Sequence, residues 1–153
     1  MALENACFKI FMKIITNRLN DLTDEFIPEC QFGFRKGKST LQAAKALLTE
    51  IEDALSKPKG KYYAAFIDYA KAFDFVNRRK LIEKVAVMIG NEHPLTEILK
   101  DILRYNMVQI SDELTTSEDI RQTNGVMQGD SSSPLLFNIV TADIKEKVRE
   151  RQH

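Results

Sequence analysis

The chain has 153 residues, a length that favours one domain or parts of two. Its 22 basic and 22 acidic residues cancel, so any binding of nucleic acid has to come from local basic patches. Two isolated cysteines with only two histidines disfavour a zinc site, and they suit an intracellular protein of the nucleus or cytoplasm better than a secreted one. No apolar run approaches the roughly 18 residues of a membrane span, so no membrane partner is expected.

The first half of the chain contains two predicted helices. Positions 4–20 have apolar residues at helical spacing, and Pro28 argues against helix soon after them. A second helix is expected from about residue 40, because Ser39 and Gln42 have the spacing of a capping box. The predicted apolar stripe of the first helix comprises Phe8, Phe11, Ile15, Leu19 and Leu22, and that of the second comprises Leu41, Ala44, Leu48, Ile51 and Leu55.

An apolar, aromatic run beginning at Tyr62 and ending at Asp68 predicts a buried strand. A carboxylate at the end of a buried strand is held on a rigid element, which suits a metal ligand. We therefore take Asp68 as a candidate metal-binding residue.

The second half predicts three more helices. One runs from about Arg78 to Ile89, and Gly90 is suited to its carboxyl end. Pro94 and Pro134 are each placed for the first turn of a further helix.

Two short strands, at 107–110 and 117–122, are predicted to be joined by a polar turn. A glycine- and serine-rich loop at 124–134 leads into the last helix. Helices that alternate with a few strands indicate an α+β or α/β fold.

The basic loop at positions 31–40, QFGFRKGKST, allows several interpretations. It is one residue short of the phosphate-binding pattern G-x-x-x-x-G-K-S/T, which leaves a nucleotide hydrolase as one alternative. It could instead be a solvated turn, or Arg35 and Lys38 could neutralise a triphosphate or a nucleic-acid backbone. Spacing alone does not choose among these.

Three blocks occur in order: QFGFRKGKST at 31–40, FIDYAKAFD at 66–74 and GVMQGDSSSPLLFN at 125–138. Together they resemble the fingers and palm motifs of reverse transcriptases, most closely those of non-LTR (LINE-type) retrotransposons. The resemblance implies an α+β, partial right-hand polymerase fold. Residues 1–60 would form a helical fingers portion, residues 61–153 an incomplete palm, and the thumb would be absent.

The resemblance also implies roles for individual residues. Asp68 matches the first catalytic, metal-binding aspartate of the palm, and the backbone carbonyls of Ile67 and Tyr69 would face metal or triphosphate. Phe73 matches the aromatic steric gate that excludes a ribose 2′-hydroxyl. The other matched positions are nucleotide- or template-contacting ones, namely Gln128, Gly129, Arg35 and Lys38.

The family's RNA-directed DNA polymerases transfer deoxynucleotides from triphosphates to a DNA primer on an RNA template, using two Mg²⁺ or Mn²⁺ ions. The aromatic-x-Asp-Asp motif that completes the family's metal site does not occur in these 153 residues. Asp74 is expected to be structural, paired with Arg78 at i,i+4.

The resemblance leads us to expect no DNA polymerisation by this polypeptide alone. A non-catalytic module that binds nucleic acid or protein is the alternative. The oligomeric state stays open, as does the question of whether the chain is part of a longer protein.

Overall fold

A computed structural model describes residues 5–112, 114–144 and 146–147. The chain forms two compact units, one comprising Met1–Ile27 with Lys71–His153 and the other comprising Pro28–Ala70. The helices are α1 (Ala6–Thr23), α2 (Thr40–Leu55), α3 (Arg78–Ile89), α4 (Pro94–Arg104) and α5 (Ser133–Thr141), and the strands are β1 (Met107–Val108) and β2 (Ile120–Arg121). A 3₁₀ turn, Asp24–Phe26, follows α1.

The core of the larger unit is built around α3, which contacts α1, α4 and α5. Fully buried leucine, valine and isoleucine side chains fill the space between these helices, and burying each is worth roughly 1.5–3 kcal/mol. The central members of this core are Leu19, Leu81, Val85, Leu99, Leu136 and Ile139. The mixed composition of helices and one small sheet agrees with the coarse α+β prediction.

Local signals place the helix ends where the sequence predicts them. The side chain of Asn77 accepts a hydrogen bond from the backbone of Lys80 at the start of α3. Gly90 ends α3 with a φ of +101°, which is a backbone region that favours glycine. Pro94 and Pro134 both stand in the first turn of their helices, α4 and α5.

Helix α1 is confirmed, but its buried face is rotated from the predicted stripe. Ile15 and Leu19 are buried as expected. Met12 is buried too, whereas Phe11 and Leu22 are exposed, so their assignment to the buried stripe is wrong. The thioether of Met12 adapts to the core more readily than a rigid phenyl ring does.

The smaller unit contains α2, whose capping box is formed as predicted. The backbone N–H of Ser39 donates to the side-chain oxygen of Gln42 at 2.8 Å, and the backbone N–H of Gln42 donates to the Ser39 hydroxyl at 3.3 Å. The helix buries none of its residues, however, and Leu41, Leu48 and Leu55 are all exposed. The predicted apolar stripe exists, but its burial is wrong because residues 28–70 include no second helix or sheet to cover it.

The predicted buried strand from Tyr62 to Asp68 is not formed. Residues 61–69 have no strand assignment, and Phe66 and Ile67 are 86% and 74% exposed. A strand is stabilised when a neighbour satisfies its backbone N–H and C=O groups, and an apolar run alone does not supply that neighbour. Asp68 therefore lies on an exposed segment rather than at the end of a buried strand.

The small sheet pairs β1 with β2 in antiparallel register, with Met107 opposite Arg121 and Val108 opposite Ile120. Both strands are shorter than the predicted 107–110 and 117–122. None of the helices in the described part of the chain is both long and apolar enough to cross a membrane.

Candidate functional site

A tight turn carries Phe73 to the glycine segment that precedes the Gln128 loop. The backbone N–H of Val126 donates to the Phe73 carbonyl at 2.9 Å, and that of Gly125 donates to the Val76 carbonyl at 2.9 Å. These two bonds join residues about 50 positions apart in sequence, so the Phe73 turn and the loop form one assembly within the larger unit.

Gly125 makes this close approach possible. Its φ of +78° lies in the left-handed region. A Cβ atom at this position would stand 2.7 Å from the carbonyl oxygen of Asp74 and 2.9 Å from its Cα, so the two backbones could not remain where they are. Glycine is required here both by its conformation and by the space available.

The ring of Phe73 is half-buried at the edge of the core. Its centroid lies 5.4 Å from that of Phe137 on α5, and the two rings are inclined by 46°. This is a usual geometry for a stabilising aromatic pair. The ring is thus held in place, and its role as a steric gate stays a prediction.

Gln128 and Gly129 lie exposed on a turn before α5. The turn is closed by the backbone N–H of Asp130, which donates to the Met127 carbonyl at 3.3 Å. The hydroxyl of Ser133 donates to the same carbonyl at 2.6 Å. The Gln128 amide makes no hydrogen bond with the described residues, which leaves it available to a ligand.

Arg78 is a buried strut that the sequence analysis missed. Its Nε donates to the carbonyl of Gly125 at 2.7 Å, and its Nη1 donates to the carbonyls of Leu103, at 2.6 Å, and Gln122. Desolvation by burial lowers the pKa of this guanidinium. The predicted pair with Asp74 is wrong, because the guanidinium is turned to three backbone carbonyls instead.

Asp130 is the second residue that sequence reasoning undervalued. It is buried, and its Oδ2 accepts a hydrogen bond from the hydroxyl of Ser132, while its Oδ1 has no partner among the described residues. Both residues line a cavity of about 990 Å³ beside the Gln128 loop. Ser132 stands at the N-cap of α5, but its hydroxyl donates to Asp130 and makes no capping hydrogen bond, so no capping signal in the sequence identifies this pair.

The basic loop in the smaller unit is organised by one acid. Glu29 lies 3.9 Å from an Arg35 Nη2 and 2.5 Å from the Lys38 Nζ. Arg35 also donates to the carbonyl of Pro28 at 3.0 Å, and the Lys38 ammonium lies 5.5 Å from the ring centroid of Phe32. Both predicted phosphate contacts thus converge on Glu29, which is exposed, whereas the side chain of Arg35 is only 7% exposed.

Asp68, Ile67 and Tyr69 lie together on the exposed segment of the smaller unit. The described residues contain no group of three or more histidine, cysteine, aspartate or glutamate side chains that could hold a metal ion. Asp68 provides one carboxylate, and a Mg²⁺ site needs more oxygen ligands than one carboxylate. These residues do not by themselves fit a metal ion.

Comparison with known proteins gives a consistent result. The sequence model of the reverse transcriptase (RNA-dependent DNA polymerase) family matches residues 1–153. A probable RNA-directed DNA polymerase from transposon BS of Drosophila melanogaster is 35% identical over 94% of this chain and 16% of that protein.

Two further relatives agree. The RNA-directed DNA polymerase from mobile element jockey of Drosophila funebris is 30% identical over 89% of the chain and 15% of its own length. A Pol polyprotein from the type-1 retrotransposable element R2 of Nasonia vitripennis is 26% identical over 98% of the chain and 14% of its own length. The chain thus spans about a sixth of these relatives.

Proposed function

This chain belongs to the reverse transcriptase (RNA-dependent DNA polymerase) family, and from that premise we propose that it contributes the site at which an RNA-directed DNA polymerase receives a deoxynucleoside triphosphate. Its partners would be an RNA template, a DNA primer and the triphosphate. The arrangement we propose is the family's right hand, with residues 1–60 as a fingers portion and 61–153 as part of the palm.

The observation that carries this proposal is the backbone joint between the Phe73 turn and the segment before Gln128. The Val126-to-Phe73 hydrogen bond and the close approach at Gly125 hold an aromatic ring and an exposed amide loop in one assembly. A ring held beneath a sugar can exclude a 2′-hydroxyl by steric contact. An exposed amide can hydrogen-bond to a nucleotide or a template base. Preorganised parts of this kind are what nucleotide selection requires.

The family's other motif positions would contribute the charged groups. In this proposal Asp68 supplies a carboxylate, Ile67 and Tyr69 supply backbone carbonyls, and Arg35 and Lys38 face the triphosphate. The two cations are paired with Glu29, so a triphosphate would have to replace that carboxylate. Arginine is suited to such an exchange, since its planar fork binds carboxylate and phosphate oxygens alike.

The family generally depends on divalent metal ions, which supply activation of the primer hydroxyl and stabilisation of the leaving group. Because the described carboxylates do not form a metal-binding cluster, we propose that this chain alone binds the nucleotide without extending a primer. Incorporation of a labelled deoxynucleotide on a primed RNA template, abolished by Asp68→Ala, would show that the chain is catalytically complete after all.

The nucleotide-hydrolase alternative has less support. The family match covers the whole chain. The hydrolase predicts ATP turnover that is lost in Lys38→Ala, and the reverse transcriptase assignment predicts no such turnover.

The direct test measures binding of a deoxynucleoside triphosphate and of its ribonucleotide counterpart by saturation-transfer NMR. We expect tighter binding of the deoxy form, and we expect Phe73→Ala to bring the ratio of the two affinities towards one. Phe75→Ala is the matched control, since Phe75 is 74% exposed two positions away. A ratio that is unchanged in Phe73→Ala would remove the steric gate from the proposal.

Gln128→Ala tests the loop. We expect it to weaken binding of both nucleotides, because the amide contacts groups that they share. Gln109→Ala provides the control, as Gln109 is an exposed amide that bonds Asp119 outside the loop. Equal affinities in the two variants would exclude a nucleotide contact by Gln128.

A further inference from the structure

A cleft on the larger unit lies between α3, α4 and β2 and has a volume of about 410 Å³. Five of the residues that line it are cationic, and one lining residue, Glu83, is acidic. We call it the basic cleft, and its cations are Arg78, Arg79, Lys100, Arg104 and Arg121. Since the chain as a whole has no net charge, this is a strong local concentration of positive charge.

Nearby acids neutralise only part of this charge. Arg79 pairs with Glu83 at 3.0 Å, and Lys100 pairs with Glu97 at 2.8 Å. Both are exposed helix-surface pairs of neighbouring turns, which are worth little energetically and exchange readily for other partners.

Two exposed arginines of the basic cleft have no acidic partner in the described part of the chain. The guanidinium of Arg104 lies 5.5 Å from the ring centroid of Tyr105. Arg121 donates from its Nη2 to the carbonyl of Arg104 at 3.2 Å. Their charges are therefore available to an anion that approaches the cleft.

The fifth cation, Arg78, is 8% exposed and has no acidic partner among the described residues. Its Nε and Nη1 donate to three carbonyls, but its buried Nη2 has no hydrogen-bond acceptor there. A buried cation acts through a lower dielectric than water, so its charge is felt strongly at the cleft.

We propose that the basic cleft binds the phosphodiester backbone of a nucleic-acid strand, a contact separate from the nucleotide site at Phe73 and Gln128. Guanidinium groups match the acceptor-only phosphate oxygens in charge and in geometry. The five cations come from two helices and a strand, and their number suits a run of phosphates better than a single one. The choice of nucleic acid as the polyanion rests on the proposed function.

The contact should be independent of sequence, because the cleft offers charges rather than a pattern of base-reading groups. Its strength should then depend steeply on salt. Each phosphate neutralised on a single strand contributes about 0.7 to the slope of log K against log salt.

The test compares two triple variants of the full chain for binding of a fluorescent single-stranded RNA oligonucleotide. The first is Arg79→Gln/Arg104→Gln/Arg121→Gln, in which all three residues are exposed. The control is Lys9→Gln/Lys13→Gln/Arg18→Gln, which removes the same charge from exposed positions of α1 outside the cleft. Thermal unfolding by circular dichroism establishes that both variants are folded.

We expect the cleft variant to lower affinity at least about 100-fold in 50 mM salt and to reduce the salt slope by about 2, so that it still binds more weakly than wild type at 200 mM. With a slope change of that size, the ratio of wild-type to variant affinity falls by roughly 20-fold when the salt is raised from 50 to 200 mM. The control should keep the wild-type slope. Equal losses in the two variants would overturn the proposal, because binding would then follow total charge alone.

Triphosphate binding separates this inference from the proposed function. The cleft variant should bind a deoxynucleoside triphosphate as wild type does, since its three residues lie outside the proposed nucleotide site. If it loses the triphosphate but keeps the RNA, the cleft is a nucleotide site and our inference is wrong. If RNA binding depends on the cleft while Phe73→Ala and Gln128→Ala have no effect on nucleotides, the inference stands and the proposed function fails.

Discussion

Replacing Gly125 with alanine should break the joint between the Phe73 turn and the Gln128 loop. The added Cβ would lie 2.7 Å from the Asp74 carbonyl oxygen, which is closer than Cβ atoms approach backbone oxygens. The two segments must then separate, and the hydrogen bonds from Gly125 to Val76 and from Val126 to Phe73 are lost or stretched.

The expected destabilisation follows from these contacts. A left-handed conformation costs an alanine about 1–2 kcal/mol. The two hydrogen bonds contribute about 0.5–1.5 kcal/mol each. We therefore expect Gly125→Ala to destabilise this joint by about 2–5 kcal/mol. Gly37→Ala is the matched control, since Gly37 has a φ of +76° but no atom within 4 Å of the point that a Cβ would occupy, and it should show the conformational cost alone.

Hydrogen exchange of the Val126 amide reports on the joint directly. Val126 is buried and its N–H donates to Phe73, so the amide should be protected in the native chain. A loss of 2–5 kcal/mol corresponds to exchange faster by about 30- to 5,000-fold. Gly37→Ala should leave this amide unchanged. Unaltered protection in Gly125→Ala would refute the reasoning, because the close approach would then not be needed.

Two further changes test the supports around the site. Partial burial raises the pKa of Asp143, but hydrogen bonds from Lys147 and Lys84 outweigh it, so the net shift of the pKa is downward. The stabilisation that these hydrogen bonds give the folded chain is therefore present above the ordinary aspartate pKa of about 4. It is lost as the pH falls through the lower pKa that Asp143 has in the folded chain. Lys84→Met should lower the free energy of unfolding in urea by about 1 kcal/mol at pH 7 and by much less at pH 2.5. Lys80→Met, at an exposed position, is the control. Equal losses at the two pH values would contradict this prediction. Ser39→Ala should lower the stability of α2 by about 1 kcal/mol. The loss is measured as faster amide hydrogen exchange in the first turn of the helix. Unchanged exchange would mean that the capping box does not stabilise the helix.

The family assignment from three sequence blocks is confirmed by the match over the whole chain. The helix ends were equally predictable. These ends depend on contacts within one helical turn, made by the capping box of Ser39 and Gln42 and by the prolines at 94 and 134. Residue identity and spacing are enough to predict such local contacts. The assigned roles of Asp68, Phe73 and Gln128 stay predictions.

Predictions failed where a distant part of the chain decides the outcome, and this includes the local Asp74–Arg78 pair, since distant carbonyls bind the arginine. The apolar run ending at Asp68 has the composition of a strand, but no neighbouring strand pairs with it. The stripe of α2 has helical spacing, but residues 28–70 contain no layer to cover it. In both cases periodicity identifies a surface suited to burial, and burial itself depends on a second element.

The sequence by itself determined the family, the helices and the motif residues, because these depend on residue identity and on contacts a few positions apart. Only the tertiary structure decided that Arg78 turns from its neighbour Asp74 to three carbonyls, up to 47 positions away. It also decided that Gly125 meets the Phe73 turn and that five cations from α3, α4 and β2 line one cleft. Those juxtapositions arise from packing of helices around a common core, and no local pattern in the chain encodes them.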